Sequence, residues 1–127
     1  MKILLDTHAF LWFVTGDRRF SRKVRRLIER DGAVPLISVA SVWEIAIKHS
    51  LGRLKLPVPV ADYIEEKLAQ GFSLLPLEWI HAAEVAELPL HHRDPFDRIL
   101  IAQARLERLP LATADRAFKD YDVRTVW

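Results

Sequence analysis

Apolar residues in this chain come in two arrangements that alternate along its 127 positions. One is a short unbroken run: Lys2–Leu5, Val34–Ile37, Phe72–Leu75, Leu111–Ala112 and Val123–Val126. Runs this brief read as strands buried on both faces. The other arrangement is longer and helical in spacing. Thr7–Val14 is an apolar helix stopped near Gly16, and Ser21–Arg30 sets Val24, Leu27 and Ile28 on one stripe among basic residues. Ser38–Leu51 runs to a Gly52 cap, Val60–Ala69 follows the break at Pro57 and Pro59, and Ile80–Glu87 is shorter. Pro95–Arg108 is the best-defined helix, with proline at its first position and the apolar centre Ile99-Leu100-Ile101-Ala102. Arg116–Lys119 makes a single helical turn.

Strands that alternate with helices predict right-handed crossovers and a mostly parallel sheet covered on both faces. The expected fold is an α/β three-layer sandwich with a five-stranded sheet, formed as one domain over residues 1–127. In such sheets, sites form beyond the carboxyl ends of the strands.

Composition narrows the chemistry. Half of the residues are hydrophobic and 28% are charged, so a core can form and disorder is excluded. The absence of cysteine removes disulfides, thiolate metal sites and cysteine nucleophiles together. The opening apolar run is interrupted by Asp6 and His8 and carries no small-residue cleavage site, and no stretch is long enough to span a bilayer. The expectation is a cytoplasmic protein with no membrane association. A net charge of +2 cannot itself argue for nucleic acid. Its distribution says more, because Arg18, Arg19, Arg22, Lys23, Arg25, Arg26 and Arg30 are opposed only by Glu29. That stretch meets nucleic-acid phosphates, is merely solvated, or pairs with an acidic partner.

Acidic residues fall where the fold would gather them. Asp6 follows the first strand, Glu44 lies two turns into the helix after the second, Asp94 and Asp97 flank the start of the long helix, and Asp115 follows the fourth strand. Each also has a plain structural reading. Asp6, Asp94 and Asp115 suit N-caps, Asp97 suits a first helical turn, and Ser41-Val42-Trp43-Glu44 has the pattern of a capping box. Ser38 is the better start signal, however, and leaves Glu44 mid-helix among Trp43, Ile45 and Ile47.

Two carboxylates ~5 Å apart repel by about 3 kcal/mol at an effective dielectric near 20. Several in one pocket would consume a large part of a domain stability of roughly 5–15 kcal/mol. Either some are protonated or a cation holds them. Oxygen ligands without cysteine select a hard ion, Mg²⁺ or Mn²⁺. Such an ion beside a basic surface suits phosphodiester cleavage, and activity should vanish in chelator.

The LLDTHAFLW opening, Ser41–Lys48 followed by Gly52-Arg53-Leu54, the His92–Arg98 block running into Leu100–Ala104, and Thr113-Ala114-Asp115 together resemble the PIN-domain ribonucleases. More narrowly they resemble the VapC toxins of type II toxin–antitoxin modules. The resemblance implies a five-stranded parallel sheet and an acidic quartet matching Asp6, Glu44, Asp97 and Asp115. It implies Mg²⁺ held by Asp6, Asp97 and Asp115, with Glu44 a ligand or the residue that orients the attacking water. Asp97 rather than Asp94 matches by its spacing to the alanine-rich helix, which leaves Asp94 as a cap with a possible water-mediated contact. Thr7, Thr113 and Arg98 are candidate contacts to substrate or to the carboxylates. The implied partners are an RNA substrate, a cognate antitoxin whose tail blocks the site, and a second copy in a homodimer.

Other residues receive plainer readings. His91 and His92 adjoin the acidic block without helical metal-pair spacing and are read as loop residues, and His8 as a helix-start residue. Trp12, Phe13 and Trp43 are read as core rather than base-stacking platforms, with one apolar patch left as a surface for the dimer or antitoxin. Two alternatives stand beside the nuclease: a non-catalytic binding module, and a phosphoacceptor receiver-like domain. The latter needs an acidic pair after the first strand, an Asp after the third and a late Lys, whereas Asp6 stands alone and Phe72–Leu75 leads to no Asp.

Overall fold

The five apolar runs pair into one sheet in the computed structural model, which describes residues 1–127. The strands are β1 (Lys2–Leu5), β2 (Val34–Ser38), β3 (Ser73–Leu75), β4 (Leu111–Ala112) and β5 (Thr125–Val126), in the order β3-β2-β1-β4-β5. Every pairing is parallel, with Ile3 opposite Pro35, Leu5 opposite Ala112, and Ile37 opposite Leu74. Six α-helices complete the chain: α1 (Thr7–Thr15), α2 (Arg22–Glu29), α3 (Val39–Ser50), α4 (Val60–Ala69), α5 (Trp79–Glu84) and α6 (Pro95–Leu106).

The strand runs are continuously apolar because both faces of the sheet are covered. Successive side chains of β1 point to opposite faces. Ile3 and Leu5 join Phe10, Val24, Ile37, Ile45 and Ile64 beneath α1 to α4, while Leu4 joins Leu36, Leu100, Ile101 and Phe118 beneath α6. Each fully buried leucine or isoleucine contributes about 1.5–3 kcal/mol.

Helix ends follow the local signals. Gly16 takes a left-handed φ of 68° to close α1, and Gly52 takes 73° just after α3. Asp94 caps α6 ahead of Pro95, as its sequence predicts. Several boundaries differ from expectation by a residue or two. The helix expected over Ile80–Glu87 begins at Trp79, and its last turn, Val85–Glu87, tightens to 3₁₀ geometry. Phe72 is buried beside β3 rather than within it, because its N–H bonds Lys67 in the turn that closes α4. β5 is two residues long because its neighbour β4 offers only Leu111 and Ala112 for pairing.

Strand order reverses beside β1, since β2 and β3 extend to one side and β4 and β5 to the other. The crevice beyond the carboxyl ends of β1 and β4 is therefore the topological switch point, where open α/β sheets bind ligands. A phosphoacceptor receiver has the order 2-1-3-4-5. The order here removes that alternative.

Candidate active site

Asp6 and Asp115 stand on the two sides of the switch point. Both are caps as well as candidate ligands, because a carboxylate has two oxygens and a cap uses one. Asp6 Oδ1 accepts from the Ala9 N–H at 2.7 Å, and Asp115 Oδ1 accepts from the Ala117 N–H at 2.9 Å. Asp94 Oδ1 accepts from both Phe96 and Asp97 N–H groups, at 2.8 and 3.1 Å. Ser38 caps α3, accepting from the Ala40 N–H at 3.0 Å, so Ser41–Glu44 is no capping box. Glu44 sits in mid-helix, almost wholly buried.

Buried polar contacts lock the two helices that carry Glu44 and Asp97. The Ser38 hydroxyl donates to Gln103 Oε1 on α6, and Gln103 Nε2 donates to the Pro76 carbonyl at 3.1 Å. The Thr7 hydroxyl donates to Ser41 Oγ at 2.9 Å and ties α1 to α3. Thr7, for which the sequence suggested a contact to carboxylate or phosphate, thus serves helix placement as well.

Asp97 and Asp115 meet over a residue the sequence reading passed by. His92 Nε2 lies 3.0 Å from Asp97 Oδ2 and 3.2 Å from Asp115 Oδ2. His92 Nδ1 accepts from the Asp94 N–H at 3.2 Å, so the ring proton of the neutral imidazole is on Nε2 and donates to the two carboxylates. Oxygen and nitrogen atoms of His92, Asp97 and Asp115 lie within 4.8 Å of one another, close enough to share one ion when the ring takes the tautomer that frees Nε2. No periodicity marks this histidine. Its one sequence signal is its place two residues before the Asp94 cap.

The loop bearing His92 is held by Tyr121 and Arg98. The Tyr121 hydroxyl accepts from the N–H groups of His91 and His92 at 3.1 and 2.7 Å. Arg98 donates to the carbonyls of Pro89 at 3.0 Å and Val85 at 3.0 Å, with longer contacts to His92 and Leu88. Arg98 is also the residue for which the sequence suggested a contact to substrate. Its guanidinium is engaged by carbonyls of the 85–92 segment, which supply the acceptors an arginine fork needs.

Electrostatics reports crowding. Burial pushes the Asp97 carboxyl up to about 7, helped by Asp94, Asp6 and Glu44 and opposed by His92. Burial also raises Asp6, with Asp115 adding to the rise, while the Thr113 side chain, the Ala9 N–H and His8 pull it back. Thr113 further accepts from the Asp115 N–H at 3.0 Å, so it bridges the two sides of the crevice. Glu44 Oε2 pairs with Lys48 Nζ at 2.8 Å, but Glu44 Oε1 is the one buried side-chain oxygen or nitrogen with no partner. A buried carboxylate oxygen left without a partner is costly unless something positive completes it. A hard divalent cation fits the donor set, with carboxylates supplying most of the oxygens.

Two cavities open from this edge. One of about 220 Å³ is lined by Asp6, His8, Trp12, Ala114 and Asp115. His8 stacks on Trp12 with ring centroids 6.0 Å apart, so both side chains border the crevice. A larger cavity, about 390 Å³, shares Ala114 and Asp115 with the first.

Residues 3–124 match the family described as PIN domain. The chain belongs to the PIN-domain family. This PIN domain is 27% identical over 120 residues to Ribonuclease VapC22 of Mycobacterium tuberculosis, spanning 94% of this chain and 91% of that protein. Its fold matches VapBC2 from Rickettsia felis bound to a promoter DNA fragment, with TM-score 0.74 at 14% identity over 99% of this chain and 98% of that one. DNA-bound VapBC from Salmonella typhimurium matches with TM-score 0.73 at 15% identity, covering 99% of this chain and 97% of that one. The PIN-domain and VapC-like resemblance read from the sequence is thus met by family, relative and fold alike. No helix of the PIN domain is long and apolar enough to cross a membrane.

Proposed function

We propose that this PIN domain is a divalent-metal-dependent endoribonuclease acting as the toxin of a type II toxin–antitoxin pair. The observation that carries the reading is the buried, unpartnered Glu44 Oε1, on a residue that, like Asp6, acts electrostatically on a strongly raised Asp97. The name of the relative from Mycobacterium tuberculosis supports the ribonuclease assignment, and the VapBC neighbours support an antitoxin partner. Exposed Trp43, Trp79 and Leu90 offer apolar surface to that partner or to a second copy. We place the protein in the cytoplasm, where its RNA is.

Asp6, Asp97 and Asp115 would hold Mg²⁺, with Mn²⁺ as substitute, and Glu44 would complete the site or orient the attacking water. When bound, the ion supplies charge neutralisation for phosphate oxygens and a lowered pKa for water. The protein's own contribution is placement. Asp6 and Asp115 are fixed by their capping bonds, and His92 holds Asp97 and Asp115 face to face. Thr113 bears on both Asp6 and the Asp115 backbone, which keeps the two sides of the crevice in register. Asp94 remains a cap whose free oxygen reaches the site through water.

The deciding experiment incubates RNA with wild type, Asp6→Asn and Asp97→Asn, each with Mg²⁺ and with chelator. Wild type cleaves only with the metal, and both variants fail. Metal-dependent cleavage that survives both substitutions would refute the site. A wild type that cleaves no RNA under any condition would point to the non-catalytic module instead.

A further inference from the structure

The larger cavity at the carboxyl edge is lined by Lys23 from α2 and by Arg116 and Lys119 from the 3₁₀ turn that follows Asp115. Thr125 and Trp127 form its far side. All three cations are exposed, and none is in an ion pair or side-chain hydrogen bond. The only carboxylate side chain in this wall is Asp115, at the end where the cavity joins the acidic crevice.

The remaining arginines of the basic helix lie elsewhere. Arg22, Arg25, Arg26 and Arg30 line a separate depression with Glu29 that shares no residue with the acidic crevice. Arg25 is occupied there, paired with Glu29 at 2.9 Å and stacked over Phe13. The fold thus divides one basic stretch of sequence into Lys23, which lines the cavity adjoining the crevice, and a set that does not.

We infer that the Lys23–Arg116–Lys119 groove is a phosphate track that holds the RNA backbone next to the phosphodiester being cut. This rests on the ribonuclease reading above and adds a binding subsite to it. A polyanion approaching several carboxylates is repelled by them, and the nearest compensating charge belongs along the strand on one side of the site. Three unpaired cations in a groove opening onto Asp115 supply that charge. An acidic peptide would also be attracted, but continuity with the acidic crevice favours a strand that must thread both. The groove acts on backbone charge, so it adds affinity without reading base sequence.

The test compares two charge-matched triple variants, Lys23→Gln/Arg116→Gln/Lys119→Gln in the groove and Arg22→Gln/Arg26→Gln/Arg30→Gln on the other face of α2. Cleavage kinetics are measured in Mg²⁺. Binding of a short fluorescein-labelled single-stranded RNA is measured on the same proteins carrying Asp97→Asn, which blocks cleavage. Each single-strand phosphate contact contributes about 0.7 to the slope of log affinity against log salt, so losing three flattens the slope by about 2. Raising salt from about 50 to 200 mM then weakens the parent about 16-fold more than the groove variant. The kinetic loss falls on KM rather than kcat. A groove triple carrying the charge-keeping Arg116→Lys in place of Arg116→Gln regains part of the slope. The α2 control keeps the parental slope.

Equal flattening in both triples would show a net-charge effect and overturn the track. So would an unchanged slope in the groove variant while wild type still cleaves RNA. Loss of antitoxin binding with an unchanged RNA slope would assign the groove to an acidic protein segment instead. If wild type neither cuts nor binds RNA, the ribonuclease reading itself falls, a result distinct from each of these.

Discussion

Replacing Asp97 by Asn removes a charge and keeps the shape, and in the metal-free protein it should stabilise the fold. The Asp97 carboxyl titrates at about 7 in the native state against an ordinary 3.8. At about 1.4 kcal/mol per unit, ionising it in the folded protein costs roughly 4 kcal/mol relative to the unfolded chain. The side chain is 22% exposed, and solvent screening cuts this to about 2 kcal/mol. Asn gives back about 0.3–1 kcal/mol through a weaker His92 contact and the lost charge in the first turn of α6. A net gain of about 1–2 kcal/mol corresponds to roughly 3–8 °C in Tm for a domain of this size.

The pH dependence has a definite sign. Because the native pKa is raised, the stability this group contributes is complete below about 3.8 and is lost as pH rises through about 7. Wild type without metal therefore weakens over that window more than Asp97→Asn does, because only the raised Asp6 remains in the variant. Thermal unfolding in chelator should show the two nearly equal below about pH 4 and the variant ahead at about pH 8. Added Mg²⁺ should reverse the order at about pH 8, since binding to the native state stabilises only a protein that retains its ligands. A variant no more stable than wild type at the higher pH, or equally ahead at both, would refute the argument from crowded carboxylates. Asp97 would then be a first-turn helix residue and nothing more.

Other residues give sharper local tests. Glu44→Gln should leave the circular dichroism spectrum unchanged, shrink the Mg²⁺-induced rise in Tm and slow cleavage on the order of 10²-fold. Arg98→Ala should cost about 2–4 kcal/mol in denaturant unfolding, because several loop carbonyls lose their donor, while KM for RNA stays unchanged in the folded protein. A raised KM with unchanged stability would favour Arg98 as a substrate contact. Tyr121→Phe should cost about 1–2 kcal/mol and speed amide hydrogen exchange at His91 and His92, whose N–H groups lose their acceptor.

Much of the fold is legible in the chain because its signals are local. Asp94 before Pro95, Ser38 before an apolar stretch and Gly52 after one act over two to four residues, and each stands where the pattern puts it. Continuous apolar strands imply two covered faces, and from that the parallel sheet follows. The candidate acids other than Glu44 are legible for a related reason, since each follows a strand or starts a helix, the positions a parallel sheet brings to one edge. Their capping roles and their site roles looked like rivals in the sequence. Two oxygens per carboxylate made them compatible.

His92, Arg98 and Lys23 show where such reading ends. His92 sits in a stretch with no period, and its partner Asp115 is 23 residues away in the chain. Arg98 carries the charge of a substrate contact, but the carbonyls that claim it come from a segment whose path no local pattern predicts. Lys23 is one cation among many in a basic helix until the sheet order sets α2 beside the turn after β4. The chain alone therefore determined its strands, its caps and which side chains stand at the sheet's edge, because backbone geometry and hydrophobic spacing act within a few residues. Which of those side chains touch, which oxygen lacks a partner and which cations line the cavity adjoining the crevice were decided only by the packing of α3, α6 and the 85–93 loop, where contacts between distant residues carry the energy.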